Sequence, residues 1–174
     1  LLDTISTITR HYHLSGILLV DLQGNTIVSH GAVTGFKQYN SSENLTARVV
    51  GSKQTVLSDL YRDDQGGGVF MAAATPLYYD GRSGEALLGV FILVNDTNEF
   101  LFPLVGGWPI PSKTAESLLV RGDGDDVLYL NKLRHRPDSA MQLRIPKTMI
   151  EVPAAAAVSG RMGIIKGVDY RGET

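Results

Sequence analysis

Three stretches of the chain place reactive or metal-binding residue types at suggestive spacing. Arg121-Gly122-Asp123-Gly124-Asp125-Asp126 holds an Arg-Gly-Asp triplet and three carboxylates in four positions, the material of a divalent-cation loop. A calcium loop opening at Asp123 needs Gly at 128 and Glu at 134, where this chain has Leu128 and Arg134. The same residues suit a tight hairpin turn, because Gly supplies positive φ and Asp bonds its own backbone. His11 and His13 flank Tyr12. On an extended segment the two imidazoles share a face, as a two-ligand metal site needs, but no third ligand is indicated. Gly66-Gly67-Gly68 lacks the Lys and helix that would cradle a phosphate. No Ser lies in a Gly-x-Ser-x-Gly elbow, and there is no Walker loop, dinucleotide fingerprint or His-Glu-x-x-His. Asn40-Ser-Ser, Asn44-Leu-Thr and Asn95-Asp-Thr fit the glycosylation sequon, and Arg134-His135-Arg136 with Arg144 reads as a solvated basic loop. No enzymatic activity, metal or cofactor is expected of this chain.

Recognition is the chemistry that remains. Ala72, Ala73 and Ala74 are small where a filled core wants bulk, so the strand Val69 to Leu77 leaves volume over its sheet. Tyr61, Arg62 and Asp63 precede that strand and Asp96 ends the last one, which supplies directional contacts at a rim. A site of Tyr61, Arg62, Ala73, Thr75 and Asp96 is the expectation. The competing reading is that an Ala-rich strand packs closely on a helix.

The elements that must position these residues follow from periodicity. Leu1, Leu2, Ile5 and Ile8 recur at helical spacing, and Ile17 to Val20, the Gly24-Asn25 turn and Thr26 to Val28 form a hairpin pattern. Lys37 to Lys53 predicts a short helix capped by Ser41 or Ser42. Strands are expected over Val56 to Leu60, Val69 to Tyr79 and Ala86 to Val94, broken at Asp63 to Gly66 and at Asp80 to Arg82 and joined as an antiparallel meander. The polar excursion from Gly31 to Gln54 is the obvious cover for one face of that sheet.

Residues 106–113 form a Pro/Gly-rich junction that neither a helix nor a central strand tolerates. Beyond it LLVRGDGDDVL at 118–128 repeats LLVDLQGNTIV at 18–28, with Leu, Leu, Val and Gly identical. The organisation expected is a helix plus a first module over 1–105, the junction, and a similar second module over 114–174 that is incomplete at its C-terminal side. GVDYRGET predicts a closing strand that leaves an unpaired sheet edge.

The 174 residues carry 16 Lys plus Arg against 18 Asp plus Glu, with 43% hydrophobic residues and no Cys. That is enough apolar material for a core, and no basic surplus for nucleic acid or anionic membrane. Thiolate chemistry, disulfides and zinc ribbons are excluded. There is no apolar run of bilayer-spanning length and no leader pattern. A first residue of Leu is what a piece excised from a longer protein would have.

The helix leading into SGILLVDLQG, then LSDLYRDDQGG, ATPLYY and LLGVFILVND, resembles the double Cache sensor domains, whose modules are PAS-like. WPIPSKTAESLLVRGDGDDVLYLNKLRHRPDSAMQLRIP and GVDYRGE resemble the membrane-proximal half of that family. The resemblance implies an α+β fold with a long N-terminal helix and tandem antiparallel-sheet modules. It also implies an extracytoplasmic position between transmembrane helices, and a ligand in the membrane-distal module. The amino-acid-binding subset uses an Arg-x-Trp-Tyr cluster, absent here, plus a Tyr at a strand start and an Asp at a strand end, positions that fall on Tyr61 and near Asp96. Arg48, in NLTARVVGSKQ, is the one cation near the cluster's place. The function implied is small-molecule sensing for a histidine kinase, diguanylate cyclase or chemoreceptor. The partner expected is an unidentified small molecule, with no nucleic acid, membrane contact only through flanking helices, and a second copy as a candidate homodimer partner. The alternative is an interaction or dimerisation module, which predicts an exposed apolar patch and no pocket.

Overall fold

A computed structural model describes residues 2–31, 33–63, 68–81, 84–106 and 115–172. Most of the Pro/Gly junction, 107–113, lies outside the described residues, as do 64–67, 82 and 83 within the two predicted strand breaks. The chain divides into two compact units, Leu1–Leu101 and Phe102–Thr174.

In the first unit α1 (Leu2–His11) leads into the hairpin of β1 (Gly16–Val20) and β2 (Thr26–Gly31). Asp21 shapes its turn: one carboxylate oxygen accepts the backbone N–H groups of Gln23 and Asn25, at 2.9 and 2.8 Å, and Gly24 takes φ +87°. α2 (Thr34–Glu43) and α3 (Leu45–Ser52) follow, then the short β3 (Val56–Leu57) and β4 (Tyr61–Arg62), then the long pair β5 (Val69–Gly81) and β6 (Gly84–Asp96). The antiparallel sheet runs β2-β1-β6-β5-β3, and β4 shares the β3 side of β5. The α+β expectation, an N-terminal helix with antiparallel sheets, holds.

Strand period 2 divides this sheet into two unlike faces. Val90, Ile92 and Val94 of β6 with Ala72 and Ala74 of β5 are buried and form one core with Leu18, Val20, Val33, Phe36, Leu45, Val49 and Tyr61. Burying each of the larger aliphatic side chains contributes roughly 1.5–3 kcal/mol. Phe91 and Leu93 point the other way, toward Ile8 of α1. The polar excursion therefore covers one face as α2 and α3, and α1 lies against the other.

The predicted single helix is in fact two. Asn44 sits at φ 48°, ψ 48° between them; its N–H donates to Asn40 O to end α2, and its side chain accepts from Ala47 N to begin α3. Ser42 cannot cap, because it lies inside α2 with its hydroxyl donating to Tyr39 O at 2.9 Å. The strand predicted from Val56 stops after Leu57, where Ser58 turns its hydroxyl inward to accept the N–H of Ala72 at 2.7 Å.

The second unit holds β7 (Val120–Asp123), β8 (Asp126–Tyr129) and β9 (Arg144–Pro146) in that order, after α4 (Leu101–Gly106) and before α5 (Pro153–Val158). Its core gathers Val127, Tyr129, Leu133, Leu143, Val152, Ala154 and Ala155. Buried Asn131 ties its entry: the side chain accepts from Leu119 N at 2.8 Å and donates to Ser117 O at 3.0 Å. Both repeated glycines, Gly24 and Gly124, take positive φ. The hairpins differ, however: Val20 pairs with Thr26 across a five-residue turn, whereas Asp123 pairs with Asp126 across two residues.

The predicted C-terminal strand does not form among the described residues. Val168 N–H donates to Glu151 O, and Gly167 lies so close that a Cβ there would sit 2.0 Å from that oxygen. The segment is held by side chains: Val168 and Tyr170 pack on the core, and Tyr170 donates to Glu116 at 2.7 Å.

Candidate functional site

Tyr61 of β4 lies under α2 with 4% of its surface exposed. Its ring stacks on Tyr39 of α2, with centroids 4.7 Å apart and planes 24° apart. Phe36, one helical turn before Tyr39, meets Tyr61 edge-on at 6.2 Å, and Phe70 of β5 stacks at 6.1 Å. The start of α2 is pressed against the loop after β4, since a Cβ on Gly35 would meet Asp63 Cβ at 2.8 Å. Four aromatic rings thus occupy the space above the small floor of Ala72 and Ala74.

The polar ends of these rings are treated differently. Tyr39 Oη accepts the N–H of Asp59 at 3.1 Å. Tyr61 Oη is buried and has no hydrogen-bond partner among the described residues. Burial, reinforced by the negative charge of Asp63 and by Tyr39, pushes the Tyr61 phenol well above its ordinary range. It stays protonated and therefore remains a donor without an acceptor.

Register carries the line further. Tyr61 pairs with Phe70, and Phe70 pairs with Asp96 on its other side. Tyr61 and Asp96 thus flank Phe70 in one row of the sheet, about 10 Å apart at two strand spacings. Asp96 Oδ1 accepts from the Asn98 backbone and side-chain amides at 2.8 and 2.7 Å, and its own N–H donates to Ser15 Oγ at 2.8 Å.

The other expected site residues are not brought to Tyr61. Ala73 pairs with Leu93 and Thr75 with Phe91, on the face turned away from α2 and α3; Thr75 shares a hydroxyl contact with Thr55 at 2.9 Å. Arg62, half-buried opposite Val69, follows Tyr61 and so faces the other side of the strand. Arg48 is exposed, because α3 turns Leu45, Thr46 and Val49 inward instead. Phe36, Tyr39 and Phe70 complete the aromatic cluster without having been expected. The Phe36/Tyr39 spacing of three within a helical stretch was the signal available.

Neither pattern weighed for metal binding is assembled in the form that binding would need. His11 ends α1 and His13 takes φ 52°, so they do not lie on one extended strand. Asp123 is paired with Arg144 at 2.6 Å. Among the described residues no group of three or more His, Asp or Glu is placed to hold a metal ion. No helix among them is long and apolar enough to cross a membrane.

No family model and no curated protein sequence matches the chain. Solved structures do. The ligand-binding domain of the Pseudomonas aeruginosa PAO1 amino-acid chemoreceptor PctC, solved in complex with GABA, is similar over 89% of this chain and 60% of its own, with TM-score 0.50 and 15% identity. The sensory domain of the Campylobacter jejuni chemoreceptor Tlp3 is similar over 60% of this chain and 43% of its own, with TM-score 0.49 and 12% identity. The chain therefore spans less than two thirds of either domain. The likeness to PctC is one of fold, carried here by an α+β arrangement of an N-terminal helix with antiparallel sheets.

Proposed function

We propose that this chain is the ligand-sensing part of an extracytoplasmic receptor domain, and that its first unit takes a small molecule beneath α2 and α3. The observation that carries this reading is the Tyr61 hydroxyl, a buried donor without an acceptor. A core position loses roughly 1–3 kcal/mol by keeping an unpaired hydroxyl that Phe would omit. A ligand carboxylate, carbonyl or hydroxyl would supply the missing acceptor. Entry requires the Tyr39 and Phe36 rings to move, and α2 moves with them. A ligand that binds the opened cover better than the closed one shifts the balance between the two states, which is what sensing requires.

The domain organisation that goes with this is a membrane-distal module over 1–105 and a membrane-proximal module from 114, between transmembrane helices that lead to a histidine kinase, a cyclase or a chemotaxis domain. The ligand of PctC makes γ-aminobutyrate and the common amino acids the first molecules to try. Isothermal calorimetry with amino acids, short carboxylates and amines tests the reading. Saturable binding that Tyr61→Phe weakens at least tenfold supports it, whereas binding that ignores Tyr61→Phe places the site elsewhere and defeats it.

A further inference from the structure

The second unit holds a buried phenol of its own. Tyr129 of β8 is fully buried in that unit's core, its backbone bonded to Leu143 and Met141, and its hydroxyl meets no partner among the described residues. A buried tyrosine hydroxyl ordinarily finds one. Its neighbour Tyr170 is the opposite case. The two rings meet edge-on with centroids 6.0 Å apart, and the Tyr170 hydroxyl donates to Glu116 Oε1 at 2.7 Å while it accepts the backbone N–H of His135. Of two adjacent phenols, one is bonded as donor and acceptor and the other is not bonded at all.

What lies against Tyr129 is lightly held. From Met162 to Val168 the only backbone hydrogen bond among the described residues joins Val168 N–H to Glu151 O, and Val168 and Tyr170 rest on the core by their side chains. Residues 168–172 therefore form a strap that lifts at the loss of that bond and of the bonds at the Tyr170 hydroxyl. The charges that act on the Tyr129 phenol are those of Asp169 and Glu116, both negative. Asp169 is paired with Arg171 at 2.7 Å. Glu116 accepts one bond at each oxygen, from Tyr170 and from Arg134 N–H, and a carboxylate oxygen has room for a second. A guest here needs one oxygen that accepts from Tyr129, a nearby hydroxyl that donates to Glu116, and no negative charge.

We propose that the second unit binds a small uncharged vicinal diol beneath the 168–172 strap, one hydroxyl accepting from Tyr129 and its neighbour donating to Glu116. In the closed strap the Tyr170 hydroxyl occupies Glu116, so it is the internal competitor that the diol displaces. Anions of the same size are rejected, because a like charge beside Glu116 and Asp169 is disfavoured. The site is independent of the one under α2, so Tyr61→Phe leaves it intact.

The test is a nuclear magnetic resonance titration of the chain, isotope-labelled at its tyrosine rings, with butane-2,3-diol and with 2-hydroxybutyrate as the anionic counterpart. The diol is expected to move the Tyr129 and Tyr170 signals saturably, and 2-hydroxybutyrate to leave them in place at matched concentration. Tyr129→Phe, read at the Tyr170 signal, should weaken the diol about tenfold, the effect of losing one bond at a buried donor. Tyr170→Phe, read at the Tyr129 signal, should tighten it about threefold by removing the competitor. A tyrosine that merely packs the core would give neither change. Shifts that never saturate overturn the proposal and leave the Tyr129 hydroxyl to water. Binding that ignores Tyr129→Phe overturns it as well, as does weaker binding in Tyr170→Phe or 2-hydroxybutyrate binding as well as the diol. The Tyr61→Phe chain should bind the diol as the parent does; loss of binding there moves the site to the first unit and defeats this one.

Discussion

A phenol hydroxyl sealed in a core without an acceptor costs the folded state roughly 1–3 kcal/mol, and the described residues hold two such groups, Tyr61 and Tyr129. Deleting either oxygen removes that penalty while leaving the ring packing in place. Tyr61→Phe and Tyr129→Phe are therefore both expected to raise the urea midpoint of the ligand-free chain. Only the first should lower affinity for the ligand proposed beneath α2. Stability and binding then move in opposite senses at Tyr61, which a purely structural tyrosine would not show. Tyr129 also makes a pH prediction. Burial, with the charge of Asp169 behind it, raises its phenol from 10.0 to about 12. Below pH 10 folded and unfolded chains both keep the proton. Between these values the unfolded chain has lost it and the folded chain has not, so stability falls as pH rises through that window. Urea unfolding at pH 9 and pH 11 should show a drop of about 1 kcal/mol from this group, and Tyr129→Phe should shrink it. The sequence marked Tyr61 and Asp96, because Tyr before a strand and Asp after one are visible as types and positions. It could not mark Phe36 and Tyr39 as their company, because which helical face turns inward depends on where the helix is broken.

That break is the work of one residue. Asn44 ends α2 and starts α3 in a left-handed conformation that Asn tolerates better than most side chains. Asn44→Ala loses the side-chain cap and strains the backbone together, so it should cost about 1–2 kcal/mol. Asn44→Gly keeps the conformation and loses only the cap, so it should cost a few tenths. Denaturant midpoints of the two variants test the order; an Ala variant as stable as the Gly variant would mean that the left-handed hinge is not needed. The long strands were legible because their apolar runs are long enough to outweigh the alternatives, and the Asp21 turn because its residues bond locally. The C-terminal strand was misread for the converse reason. Val168 and Tyr170 have strand-like types, but strand formation needs a neighbouring edge, and here their side chains find a core while most of the backbone does not find a ladder. Hydrogen exchange should accordingly be fast at Ile164, Ile165 and Lys166 and slowed at Val168, whose N–H is bonded to Glu151.

At the scale of the whole chain, the two apolar clusters decide the expected behaviour. Every member of the first comes from the unit ending at Leu101, and every member of the second from the unit that follows. The repeat at an offset of 100 residues pointed to two modules. The structure retains the positive-φ glycine of each hairpin but not a common turn length, so short sequence identity reported the turn residue rather than the register. With separate cores, calorimetry should resolve two unfolding transitions rather than one. Tyr61→Phe should move only the first unit's transition and Tyr129→Phe only the second's, which assigns them. A ligand held beneath α2 should then raise the first transition by about 2.7 kcal/mol at one hundred times its dissociation constant. If the second transition moves as well, the difference measures the coupling between units directly, because linkage makes any such coupling reciprocal. A single transition shifted equally by both tyrosine variants would mean that the two cores unfold as one body, and that a ligand in the first unit stabilises the second without any separate signal passing between them.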